Sequence, residues 1–257
     1  MMSESELFEE FMRIILGYDV AKVNTDFAYG IKNDTVDILN YISKNPALVI
    51  PDFIDGLPVV GICGYIFFDI ETGRFDYDKI TSVYISTYAT DIQEASFFEC
   101  KNLESITVAP DNSKFSSENG VWFNKDKSTL IQYPMNKLGE TYIVPDEVEF
   151  IYYSAFIKDD DVKSNLTEII IPNSVDCFGF DTFKNYSDDE IASSELQIFR
   201  GEYYDCFVFE IDGAFESLIF RDYKNITIIC DKGSPAHQYA INANIPFRLT
   251  ERKEELK

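Results

Sequence analysis

Any enzyme reading of this chain has to start from its one histidine, its five cysteines and its carboxylates, the side chains that move protons, attack carbonyls or hold metals. His237 stands in Gly233-Ser-Pro-Ala-His-Gln-Tyr239 with no serine or cysteine nucleophile pattern beside it, so it reads as surface or cap packing. Cys63, Cys100, Cys177, Cys206 and Cys230 are odd in number, far apart and without a Cys-x-x-Cys pair. They read as unpaired thiols used as small hydrophobes, at home in a reducing compartment. Carboxylate pairs are plentiful because the whole chain is acidic, which gives no support for glycosidase chemistry. The run Asp159 to Asp161 lacks the alternating ligands and glycine of a calcium loop, and Gly61-Ile-Cys-Gly64 lacks the spacing of a dinucleotide fingerprint. The sequons at Asn33, Asn165, Asn185 and Asn225 read as chance matches. The expectation is therefore no catalytic residue, no metal ligand, no cofactor and no enzyme activity.

Charge narrows the partners. With 45 Asp and Glu against 22 Lys and Arg, the formal charge is −23, which repels phosphate backbones and anionic lipid alike and argues against nucleic-acid and membrane-surface roles. No run reaches the roughly 18 to 20 apolar residues of a membrane span, and the first twenty residues have neither a basic leader nor a small-residue cleavage site. The sequence alone reads as cytoplasmic, or as a surface or secreted protein recorded without its targeting segment.

The elements follow from hydrophobic spacing. Leu7, Phe8, Phe11, Ile14 and Ile15 fall on one helical face, Ser3 and Glu6 form a capping box and Gly17 is the stop, which predicts a short amphipathic helix capping the core within residues 1–26. Beyond it, brief β-prone runs repeat. One phrase, apolar-x-x-apolar-x-x-x-small-Phe, runs from Val59 to Phe67, Ala89 to Phe97, Val148 to Phe156 and Val175 to Phe183, with a degenerate copy ending at Ile211, Ala214 and Phe215. A second, a strand and a proline turn, is interleaved with it: Leu48-Val-Ile50-Pro51, Val83-Tyr-Ile85, Ile106-Thr-Val108-Ala-Pro110, Tyr142-Ile-Val144-Pro145 and Ile169-Ile-Ile171-Pro172. Weaker copies stand at Leu196-Gln-Ile198 and Ile226-Thr-Ile228. Val83 and Ile106 are 23 residues apart and Tyr142 and Ile169 are 27, a solenoid period. Units this short bury their apolar faces only by stacking on one another, with hydrogen bonds running between coils. Residues 111 to 134 carry two β-prone runs separated by the turn residues Asn124 to Ser128, which predicts a hairpin that protrudes from the array or extends its sheet. Residues 157 to 166 and 186 to 195 read as acidic loops.

These interleaved phrases resemble the BspA-type leucine-rich repeat. Phe97-Phe-Glu-Cys100-Lys-Asn-Leu103-Glu-Ser-Ile106-Thr-Val108 matches its Phe-x-x-Cys-x-x-Leu-x-x-Ile-x-Ile join. Tyr29 to Ile38, with Val49-Ile-Pro51 and Asp55-Gly-Leu-Pro-Val59, resembles its opening unit, and Cys230 to Ala240 with Pro246-Phe247 its closing unit. Departures are Cys63 and Gln93 at positions often glycine, Ile66 at a small-residue slot and a weak repeat near 196 to 215. The resemblance implies a β-rich, right-handed leucine-rich-repeat solenoid of parallel strands over residues 27–249, with the helical cap before it, the hairpin inserted at about 111–134, and a polar tail at 250–257. Similar bacterial proteins are commonly surface-attached and associated with adhesion and protein recognition.

Strand alternation nominates a face. The residues between the inward Ile and Val ladder are Ser82 and Tyr84, Ser105 and Thr107, Thr141 and Ile143, and Glu168 and Ile170, and these are the candidate protein-binding positions. Two functions remain open on the sequence: a non-catalytic module binding a protein partner through that face, and a structural spacer or self-associating scaffold with no dedicated ligand.

Overall fold

The computed structural model of the chain is strand-rich with few helices. It describes residues 17–62, 66–69, 74–92, 96–152, 155–156, 166–179, 198–201, 204–207, 209–211, 214–216 and 226–250. The helix expected over residues 3 to 16, the Phe183 corner and most of the acidic loops lie outside the described residues. The chain divides into two compact units, Met1–Lys125 and Asp126–Lys257.

The first unit begins with β1 (Val20–Val23), β2 (Phe27–Lys32) and β3 (Thr35–Tyr41), each antiparallel to the next. Asn33 and Asp34 make the β2–β3 turn at φ 52° and 58°, a left-handed conformation that short polar side chains tolerate. After β4 (Ala47–Val49) and β5 (Phe53–Ile54), the turn at Asp55 and Gly56 leads into β6 (Leu57–Ile62). A short antiparallel pair, β7 (Phe68–Asp69) and β8 (Arg74–Phe75), precedes β9 (Ser82–Ile85), β10 (Asp91–Ile92) and β11 (Ser105–Val108). Here the pairing turns parallel: β3 with β6 and β6 with β10 in one sheet, β4 with β9 and β9 with β11 in another.

Parallel register stacks like on like. Leu48, Val83 and Ile106 lie side by side and are buried, as are Ile85 and Val108 at the next inward position. The predicted Phe corners close the other side: Phe67 and Phe97 are wholly buried with ring centroids 6.4 Å apart. Each such ring withdraws enough apolar surface from water to stabilise the fold by roughly 2 to 3 kcal/mol.

The run 111–134 holds the expected turn at residues 124 to 128, between β13 (Val121–Asn124) and β14 (Thr129–Gln132), with Lys127 at φ 61°, and a second turn ahead of it. That second turn, Asn119 and Gly120 at φ 51° and 78°, joins β12 (Phe115–Glu118) to β13 in a further antiparallel hairpin. It does not protrude: Phe115, Trp122 and Phe123 are buried, with Trp122 5.7 Å from Phe97 and 5.0 Å from Phe115. The backbone N–H of Ile106 donates to Gly120 O at 2.9 Å and that of Val108 to Ser117 Oγ at 2.9 Å, so the hairpin also occupies hydrogen-bonding groups of β11. Buried Asn112 fixes the approach to it, donating through Nδ2 to Ser86 O and Ala89 O while Oδ1 accepts from the backbone of Lys114 and Phe115.

In the second unit, β14 (Thr129–Gln132), expected as a hairpin arm, also joins a parallel ladder. The following strands are β15 (Thr141–Ile143), β16 (Phe150–Tyr152), β17 (Glu168–Ile170) and β18 (Cys177–Gly179). Then come β19 (Ile198–Gly201), β20 (Tyr204–Phe207), β21 (Phe209–Ile211), β22 (Ala214–Glu216) and β23 (Thr227–Cys230), and after them helix α1 (Pro235–Asn242) and β24 (Phe247–Leu249). One ladder runs β14, β16, β18, β20, and the other β15, β17, β23, β24, all parallel.

Two weak copies from the sequence resolve differently. Ile198 starts β19, which pairs antiparallel with β20, so the parallel neighbour of β17 is β23, with Thr227 beside Glu168 59 residues further along the chain. The degenerate fifth copy is a hairpin, Ile211 opposite Ala214. Phe156 is wholly buried as predicted, between Tyr133 at 5.5 Å and Tyr142 at 6.1 Å. At the closing unit, Ser234 caps α1 by accepting the His237 N–H, Pro235 occupies the first turn, and buried Tyr239 stacks on Phe178 at 4.4 Å. Thr250, assigned to the polar tail, donates its N–H to Cys230 O and so continues the β24 pairing.

Candidate functional site

The structure places the eight face residues on the outward rows of two parallel ladders, four in each unit. In the first unit Ser82 lies beside Ser105 and Tyr84 beside Thr107. The serines are half-buried, whereas Tyr84 and Thr107 are exposed. In the second unit Thr141 lies beside Glu168 and Ile143 beside Ile170. Ile143 is 65% exposed, and Thr141 is exposed, while Glu168 and Ile170 are half-buried.

Those rows continue through residues that alternation alone did not nominate. In the second unit Ile170 is followed by Ile229 and Arg248. Arg248 reaches across β23 to Glu168, with Nη2 to Oε1 at 3.0 Å, and Ile229 beneath is only 7% exposed. Glu168 is thus engaged within the sheet, and the open part of this face is Thr141 and Ile143. In the first unit the row extends back to Val49, which pairs with Tyr84 and is 53% exposed.

Both strands then turn corners that bring Phe53 and Tyr88 together, ring centroids 5.2 Å apart and 53% and 44% exposed. The corners are tied by Thr87 N–H donating to Asp52 Oδ1 at 2.9 Å and Ser86 Oγ to Pro51 O at 3.1 Å. Val49 was legible, since Leu48-Val-Ile50 has the same alternation as Val83-Tyr-Ile85. Phe53, in the two-residue β5, and Tyr88, past the end of β9, lie beyond the ladder strands, where period two carries no information.

A third outward row runs Gly30, Asp37, Gly61, Asp91 across β2, β3, β6 and β10. Gly30 leaves room for the Tyr18 ring and Gly61 for the Asp37 carboxylate, and a Cβ at either position would collide with its occupant. Tyr18 OH donates to Asp37 Oδ2 at 3.0 Å. Burial raises the Asp37 carboxyl above its usual range, with the Asp91 charge acting in the same sense and the Tyr18 hydrogen bond and Lys32 against it. Nearby, Asp55 accepts from Lys22 at 2.6 Å and from Tyr29 at 2.9 Å, and these hydrogen bonds hold it below the usual carboxylate range. The Tyr29 hydroxyl is pushed up to about 12, chiefly by burial and then by Asp55.

Among the described residues, the reactive side chains His237, Cys100 and Cys230 have structural surroundings. His237 accepts the Gly233 N–H at Nδ1, 3.0 Å, and sets its ring edge against Phe247 at 4.7 Å. Cys100 and Cys230 are buried and free, and burial raises both thiols, away from the thiolate that attacks or ligates. Among the described residues no group of three or more His, Cys, Asp or Glu could hold a metal ion, and no helix is long and apolar enough to cross a membrane.

No family model matches the chain, and no curated protein matches it. Among solved structures it is similar to a leucine-rich repeat protein from Eubacterium ventriosum, at 23% identity over 52% of this chain and 38% of that one, with a TM-score of 0.35. It is similar to a leucine-rich repeat protein of T. pallidum at 22% identity, over 63% and 55% of the two chains, with a TM-score of 0.31. A leucine-rich cell surface protein from Faecalibacterium prausnitzii is 14% identical over 91% and 96%, with a TM-score of 0.37. The chain thus spans 38% and 55% of the length of the first two.

Proposed function

We propose that residues 27–249 of this chain are a BspA-type leucine-rich-repeat solenoid, and that it is a non-catalytic module binding a protein partner through the exposed face of its parallel strands. One observation carries the reading. Val83 and Ile85 are buried while Tyr84 between them is 38% exposed, and on the equivalent row of the second unit Ile143 is exposed where Val144 is buried. A large apolar side chain on a sheet face gains nothing for the fold by standing in water, and such groups are the raw material of an interface. An adhesion role at a cell surface fits such a module.

The test is affinity capture from lysate and from the extracellular medium of the source organism, comparing wild type with a Tyr84→Arg/Ile143→Arg variant of unchanged urea midpoint. A partner held by wild type and lost by the variant supports the face. Capture that survives both substitutions sinks it.

One feature favours self-association as a second reading. β24 ends its ladder among the described residues, and Phe247, Arg248 and Leu249 are all exposed, the profile of an edge that can pair with another strand. Light scattering decides it: mass rising with concentration supports self-association, and a constant monomer mass removes it.

A further inference from the structure

We infer that the first unit's face, Val49, Tyr84 and the Phe53/Tyr88 pair, takes an arginine-bearing segment of a polypeptide, an inference that rests on the protein-binding reading above. Its centre is an aromatic shelf: two half-exposed rings 5.2 Å apart and tilted by 60°, each four residues along its chain from Val49 or Tyr84, which pair in adjacent strands. Ring faces attract cations, and the planar guanidinium stacks on them while keeping its N–H groups free for a carboxylate.

The surroundings supply the charge complement. The described segments that build the shelf and its ladder, 45–62, 80–92 and 102–113, contain five Asp or Glu and no Lys or Arg. Asp52 is the carboxylate at the shelf itself: exposed, adjacent to Phe53, and hydrogen-bonded to the backbone one residue before Tyr88. Two cations from nearby elements are committed elsewhere, Lys22 to Asp55 and Lys79 to Tyr41 O at 3.0 Å. A neutral apolar partner would leave this negative field uncompensated, and an acidic one would be repelled. Positive charge on the partner answers both the rings and the carboxylates.

The test uses the full chain and three labelled twelve-residue peptides of Leu and Ser alternating with Arg, with citrulline or with Glu, followed by fluorescence anisotropy at two salt concentrations. The expected result is binding of the arginine peptide, with the uncharged citrulline peptide about 10-fold weaker and the Glu peptide unbound. A Phe53→Ser/Tyr88→Ser variant is expected to bind the arginine peptide about 10-fold more weakly at an unchanged urea midpoint, about 1.4 kcal/mol. Asp52→Asn, which keeps the acceptor for Thr87, is expected to bind about 3-fold more weakly.

Equal binding by wild type and by both variants would show mere attraction to an acidic chain and overturn the inference. So would citrulline binding equal to arginine. Should the aromatic variant lose stability, Asp52→Asn and the citrulline peptide decide alone. If these peptide experiments fail while Tyr84→Arg still abolishes partner capture, the binding face stands and the cationic partner falls. If capture is also indifferent to Tyr84, both fall.

Discussion

Asn112 has no exposed surface, and its amide makes four hydrogen bonds, two given and two accepted, to backbone groups on either side of it. No apolar side chain replaces that pattern, so Asn112→Ala strands buried carbonyls and N–H groups, and is expected to cost about 2 to 3 kcal/mol. Trp122, the one tryptophan, is wholly buried in the same unit, so its fluorescence in a urea titration reads the loss directly; an unshifted midpoint would mean the amide is dispensable. Asp37 gives a prediction of opposite sign. Its carboxyl titrates above the ordinary 3.8, so the folded state holds the proton more tightly than the unfolded chain. Below 3.8 both states are protonated and the group is neutral in effect; as pH rises through 3.8 to the raised folded value, ionisation favours unfolding, and above that the penalty is constant. Asp37→Asn keeps an acceptor for Tyr18 and removes the charge facing Asp91. It is expected to raise the urea midpoint at pH 7, with the gain fading as pH falls toward 3.5. A gain that persists unchanged into acid would trace to packing instead.

Phe97 and Phe156 occupy the same step of the repeat, one per unit, and each is wholly buried among other rings. Truncation to Ala leaves a cavity that neighbouring coils fill only in part, at about 3 to 5 kcal/mol each. The check is the urea midpoint of each variant, and an unchanged value would remove the ring ladder from the core. These corners were legible because a buried Phe at a fixed offset from an Ile/Val pair repeats where loops do not. The inward ladder was legible for a similar reason, period two, as Val83, Ile106 and Ile169 attest. The turn at residues 124 to 128 was legible from its polar run, and Lys127 there takes a positive φ; the Asn119-Gly120 turn ahead of it went unread, although both of its residues take positive φ and the dipeptide is a strong hairpin signal. The antiparallel opening of β1 to β3 was missed altogether, since Asn33-Asp34 is a weaker turn signature than a dipeptide with Gly. Of the candidate face, the outward rows followed from alternation, but the Phe53/Tyr88 shelf and the Arg248 strap depend on corners and on which strand lies next to which, and neither is written in local spacing.

At the scale of the whole molecule the governing quantity is −23, twice as many carboxylates as cations on one chain. Like charges brought together by folding repel, so screening is expected to favour the compact state. Raising NaCl from about 20 to 300 mM at pH 7, over which the screening length falls from roughly 20 to 6 Å, is expected to raise the urea midpoint. A fall would mean that attractive pairs such as Lys22 with Asp55 outweigh the excess. The pairing of β17 with β23 has a further consequence for how such a chain tolerates change. Glu168 and Thr227 are neighbours across 59 residues of chain, while Ser82 and Ser105 are neighbours across 23. Loop-closure entropy grows only with the logarithm of the enclosed length, so the longer span costs about 0.8 kcal/mol more than the shorter. Contour length between adjacent strands is therefore a nearly free variable, and a gene encoding this fold can gain or lose whole segments there while both faces keep their register.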